Sequence, residues 1–217
     1  MIPADILSAS DRMLLVAIDG LIASAIQRQG CPMCSAALHA SHYPRKPRGL
    51  DEDLDQDDGA CLRLSFCCSR DGCRHRVTPP SVRFWNRLGY WAPIVLAVLR
   101  TARLSSAEKA LRQVIGCSGR SIARWRERFA SIWSTATGRM IAGSISLDAD
   151  QRMHPDRVFA LWVGRWPWVC VQWLLLIHPL TGGTGWEREG QRVWPLDPQS
   201  MRFDLPLRAL QDPPAAT

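Results

Sequence analysis

Eight cysteines in 217 residues are the side chains best equipped for chemistry, and five of them fall into two groups. Cys31-Pro-Met-Cys34 is a pair with two intervening residues, a spacing that lets both thiolates face one ion. Cys67, Cys68 and Cys73 supply the other half, with Gly72 easing the turn before Cys73 and His75 in reserve. Zn2+ takes four such ligands in a tetrahedron, so the expected set is Cys31, Cys34, Cys68 and Cys73. Cys67 is the alternative to Cys68, because adjacent strand residues point to opposite faces and only one can easily reach the ion. A redox dithiol of the thioredoxin kind needs βαβ surroundings that this region lacks. A catalytic zinc would keep an open position and usually takes His or carboxylate ligands, so the ion is expected to hold structure. Cys61, Cys117 and Cys170 lack paired spacing and read as core residues, and His39, His42, His154 and His178 lack a ligand pattern.

A second pattern lies at residues 118–133. At 100° per residue, Ile122, Trp125 and Phe129 fall on one face of a helix, while Arg120, Ser121, Arg124 and Arg128 fall on another. A major groove admits one such helix and its base edges accept hydrogen bonds from arginine. Arg120, Ser121 and Arg124 are therefore the readout candidates for double-stranded DNA. Arg126 and Arg128 are placed for phosphate contact, and Ser118 is both a suitable N-cap and a phosphate donor.

Charge points to the same partner. The net charge of +7 includes six acids packed into residues 51–58, so the rest of the chain is strongly basic. Residues 61–130 carry fourteen Arg or Lys against Asp71, Glu108 and Glu127, which suits a polyanion. The N-terminus has no basic leader and carries Asp5, Asp11 and Asp19, so a reducing cytoplasm with thiolates on metal is expected rather than a secreted disulfide scaffold. The most apolar stretch, residues 158–180, is broken by Arg165 and Pro167 and holds Gln172, which argues against a membrane span.

The elements that must position these residues follow from periodicity. Leu14, Ile18, Leu21 and Ala25, flanked by Leu15, Ile22 and Ile26, predict an amphipathic helix over 10–29 ended by Gly30. Residues 41–60 read as a loop with a basic block, Tyr43-Pro-Arg-Lys-Pro-Arg48, followed by the acidic one. Leu62, Leu64 and Phe66 alternate like a strand leading to the second cysteine group. Pro93 starts a helix through 103, a second begins near Ser106 with Ala107, Ala110, Leu111, Val114 and Ile115, and Gly116-Cys-Ser-Gly119 turns into the third.

The motifs Cys31-Pro-Met-Cys34, Cys73-Arg-His-Arg-Val-Thr78 and Gly119-Arg-Ser-Ile-Ala-Arg-Trp125 give residues 28–133 a resemblance to the N-terminal region of bacterial insertion-sequence proteins, in which a zinc ribbon precedes a helix-turn-helix. The resemblance implies transposon-end or promoter binding by a nucleoid-associated protein, with a transposase as a further partner. The acidic insertion and the doubled Cys67-Cys68 depart from that pattern. A transposase core with three separated carboxylates does not fit the stretch after Trp133, and Asp148, Asp150 and Asp156 lie too close together to form one.

The expected fold is mainly α with a small β zinc ribbon. It comprises an N-terminal helix (1–30), a zinc ribbon with an acidic loop (31–80), a three-helix helix-turn-helix domain (81–137) and a Trp-rich helical C-terminal segment (138–217). The expected function is DNA binding without catalysis, as an accessory or regulatory protein of a mobile element. Two alternatives stand beside it: an adaptor that docks a protein through the Trp-rich residues 159–173, where tryptophan favours interface hot spots, or a truncated transposase remnant.

Overall fold

The computed structural model describes residues 7–49, 59–85, 89–134, 139, 148, 152, 154–160 and 166–177. The acidic run at 51–58, Asp150 and residues 178–217, including His178, lie outside them. Among the described residues are six helices and seven short strands, with all the strands between the first helix and the second, so the fold is mixed α and β rather than mainly α. The difference comes from pairings between segments too short to show a strand period.

Helix α1, Ala9–Gln29, begins with a reciprocal cap in which Ser8 accepts from the Asp11 N–H and Asp11 accepts from the Ser8 N–H. Its buried face is Leu15, Ile18, Asp19, Ile22, Ala23 and Ile26, while Leu21 is 46% exposed. The seam is rotated from the expected one because a carboxylate lies in it. Asp19, 4% exposed, accepts from the Ser81 hydroxyl at 2.6 Å, the Val82 N–H at 2.7 Å and Arg83 Nε at 2.7 Å.

After the first cysteine pair, strands β1 (Leu38–Ala40), β4 (Phe66–Cys68) and β5 (Arg76–Val77) form an antiparallel sheet in the order β1-β4-β5. Between β1 and β4, strand β2 (Tyr43–Pro44) pairs with β3 (Leu62–Arg63), so the basic block begins in a strand. A third hairpin, β6 (Phe84–Trp85) with β7 (Tyr90–Trp91), delivers the chain to α2, Ala92–Arg100.

Helix α2 has Pro93 in its first turn and buries Ala92, Pro93, Ile94, Val95, Leu96, Val98 and Leu99, because it is enclosed on nearly every side. Around it pack α3 (Ser106–Ile115), α4 (Gly119–Ile132), α5 (Pro155–Ala160), α6 (Trp166–Ile177) and the β6–β7 hairpin. Helix α6 also meets α1, and one continuous apolar cluster runs from the β1-β4-β5 sheet through α2 to α6. The rings of Phe129 of α4, Phe159 of α5 and Trp173 of α6 meet in sequence, tilted and then edge-on, with centroids 5.8 and 5.1 Å apart. Phe159 and Trp173, expected on a docking surface, are thus part of the chain's own interior. No described helix is long and apolar enough to cross a membrane.

Replacing Asp19 by alanine would leave the Arg83 guanidinium, 2% exposed, charged and without its carboxylate. The expected loss is about 3–5 kcal/mol of unfolding free energy, measured from denaturant curves; a loss below about 1 kcal/mol would show that the pair behaves as a solvated one.

Candidate metal centre and basic helix face

Gly30 ends α1 at φ +74°, and the chain folds back so that the Ser35 N–H donates to the Cys31 carbonyl and the Cys31 N–H to Ala36 O, both at 2.8 Å. A Cβ at position 30 would lie 3.0 Å from Ser35 O, so the turn needs glycine for space as well as for φ. The second knuckle leaves β4 at Cys68, whose Sγ accepts from the Arg70 N–H at 3.4 Å, and turns through Gly72 at φ +83° to Cys73. The two turns bring Cys31 Sγ to 3.8 Å from Cys73 Sγ and Cys34 Sγ to 3.4 Å from Cys68 Sγ. All four sulfurs lie within 4.8 Å of one another, close enough to hold a metal ion, and among the described residues no other such cluster forms. A tetrahedron with metal–sulfur bonds of about 2.3 Å has edges of about 3.8 Å, close to the Cys31–Cys73 and Cys34–Cys68 spacings.

The β4 pleat decides between the two adjacent cysteines. Cys68 turns into the cluster, whereas the Cys67 thiol turns to the other face and donates to Arg74 O at 3.7 Å. His75 stays outside the cluster and contributes its carbonyl, which accepts from the Cys68 N–H at 2.9 Å. The Ala36 N–H lowers the Cys34 thiol to about 7, while burial raises Cys68 to about 12. The His75 N–H pulls Cys73 down, but burial and the neighbouring Cys34 outweigh it and its net shift is upward. Sulfurs this close cannot all ionise together without a cation among them, which suits the cluster to a divalent metal. Cys117 and Cys170 are lone buried thiols that burial pushes upward, in keeping with core residues. Asp148 and Asp156 are part of no three-ligand cluster among the described residues.

The second region starts where Gly116 closes α3 in the left-handed conformation at φ +64°. Ser118 then caps α4 by accepting from the Ser121 N–H at 3.2 Å. Ile122, Trp125, Phe129 and Ile132 are buried, and Trp125 meets Tyr90 edge-on at 4.8 Å. Arg120, Arg124 and Arg128 are exposed at steps of four, with no carboxylate paired to them among the described residues.

Two expected contact residues fall elsewhere. Ser121 is 7% exposed, with its hydroxyl 3.2 Å from that of Ser118, because its position lies at the edge of the buried seam. Arg126 donates to Glu108 Oε2 at 2.8 Å and to Thr101 O at 2.7 Å, so it clamps α4 against the end of α2 and the start of α3. Glu108 is the residue that sequence reasoning passed over, since eighteen positions separate it from Arg126 and only the helix packing joins them.

The chain matches no protein-family model, no curated protein and no solved structure.

Purified protein should carry about one metal ion per chain. Cys73→Ala should lose it and Cys67→Ser should keep it, read by elemental analysis. Because the raised thiols of Cys68 and Cys73 must deprotonate on binding, metal affinity should fall as pH falls. Equal metal loss from both variants would put the ligand set in error.

Proposed function

We propose that this chain binds double-stranded DNA through α4, presented by α3 and the Gly116–Ser118 turn as a helix-turn-helix, with a structural zinc ion in the four-cysteine cluster forming a zinc ribbon. The observation that carries this reading is the stripe of Arg120, Arg124 and Arg128 opposite a face that anchors Ile122, Trp125 and Phe129 in the core. A helix rigidly held on one side and cationic on the other suits insertion into a major groove. Arg120 and Arg124, nearest the N-terminal half, are the base-reading candidates. Arg128 and the exposed Ser118 are the phosphate-contacting ones.

A four-thiolate set leaves no open position on the ion, so the metal has a structural part and no reaction is assigned to the chain. Zinc is preferred over other ions because sulfur ligands in a tetrahedral arrangement favour it. The resemblance to insertion-sequence proteins supplies the biological setting, that of an accessory or regulatory factor of a mobile element acting beside a transposase. The adaptor reading loses two of its anchors, because Phe159 and Trp173 are already buried within the chain.

Binding to duplex DNA, followed by fluorescence anisotropy, should weaken linearly with the logarithm of salt concentration. Arg124→Ala should cost about 1–3 kcal/mol of affinity and relax preference at one base position once a site has been selected. Arg126→Ala should instead lower the melting temperature, since it removes the partner of the part-buried Glu108. Salt-insensitive binding, or an Arg124→Ala protein that binds like the parent, would rule out α4 as the reading helix.

A further inference from the structure

The basic block at residues 44–48 has no part in the reading above, yet its position is unusually well fixed. The Arg48 N–H donates to Gly89 O at 2.7 Å and the Arg48 carbonyl accepts from the Trp91 N–H at 2.9 Å, so this residue runs alongside β7 as an extra strand position. The Arg45 N–H is likewise bonded, to Cys61 O at 2.6 Å. Gly49, at φ +85°, comes so close to the helices that a Cβ there would lie 3.1 Å from Ile94 Cγ2 and 3.3 Å from Ile115 Cγ2. Ile115 is the last residue of α3, immediately before the turn that opens α4.

The Arg48 side chain is exposed, and its guanidinium lies over the Tyr90 ring at 5.8 Å from the centroid. Tyr90 in turn meets Trp125 of α4 at 4.8 Å. A cation from a distant part of the chain is thereby held one aromatic ring away from α4. Its backbone is fixed on both sides, its partner is a neutral ring, and no described carboxylate pairs with it. A charge held this way has its ordering cost already met by the fold and keeps its donors for an anion.

We propose that residues 44–48 form a second DNA-contacting element, in which Arg48 binds a backbone phosphate beside the groove entered by α4. The inference rests on the DNA-binding reading and adds the contact that fixes how α4 sits on the duplex. Phosphate contacts of this kind set register and orientation and carry no base preference of their own.

Two measurements test it. Arg48→Gln should weaken binding severalfold on every duplex tried and reduce the slope of log affinity against log salt by about one, whereas Arg48→Lys should keep the slope. In the unaltered protein, duplex DNA should shield Arg48 from phenylglyoxal, together with Arg124, while the exposed Arg28 at the far end of α1 stays reactive; modification is read by peptide mass spectrometry. An Arg48 that reacts equally with and without DNA, or an Arg48→Gln protein with unchanged slope, overturns the inference while Arg124 shielding leaves the α4 reading standing. Absence of any salt-dependent duplex binding by the parent protein overturns both.

Discussion

A guanidinium can leave water only if its charge and its N–H groups find partners, and Arg83, 2% exposed, finds them on two separate stretches of chain. Its Nε bonds to Asp19 in the middle of α1, and its terminal nitrogens bond to the carbonyls of Gly59 and Leu62 where the chain returns from the acidic insertion. Ser81 completes the knot, donating to Asp19 and accepting from the N–H groups of Arg83 and Phe84. Arg63 lies in the same buried region, with a bond to Pro79 O and its guanidinium over Phe84; burial lowers its pKa and the Asp19 charge opposes that. The β2–β3 hairpin, the N-terminal helix and the strand leading to α2 therefore share one polar centre.

That centre gives the cysteine cluster a reach beyond its own knuckles. Cys31 follows α1 directly, and Cys68 ends β4, whose Phe66 and Val77 neighbours belong to the same apolar cluster as α2 and α4. An ion that locks Cys31 and Cys34 to Cys68 and Cys73 closes a loop of chain from one end of α1 to β5. The loop contains the basic segment at 44–48 and both hydrogen-bonded carbonyls that hold Arg83. Such an ion would stabilise the fold by constraining the unfolded chain as well as through its own bonds.

Much of this was legible in the sequence, and the reasons for the gaps are specific. The Cys-x-x-Cys pair, the Gly116 turn and the Ile122, Trp125, Phe129 face each depend on neighbours a few residues away, so period and spacing reveal them. The choice of Cys68 over Cys67 needed the β4 register against β1 and β5, where Cys67 stands opposite His39 and Arg76 on the outer face. The α1 seam was displaced because Asp19 counts as a surface residue until its partners at positions 81–83 are seen. The two-residue strands at 43–44, 84–85 and 90–91 are too short to display alternation, which made the fold look more helical than it is.

The arginines of α4 show how little a count of charges decides by itself. Arg124 and Arg126 are two residues apart and therefore on opposite flanks of the helix; one faces solvent and the other is held by Glu108, Thr101 and Val98. Arg48, far away in the chain, resembles Arg124 more than Arg126 does in keeping an exposed guanidinium, because an aromatic ring and not a carboxylate supports it. The positive surface that stays exposed is thus selected by which guanidiniums the fold has already satisfied. A carboxylate or a row of carbonyls turns an arginine into a structural clamp, and a neutral support leaves its charge facing outward.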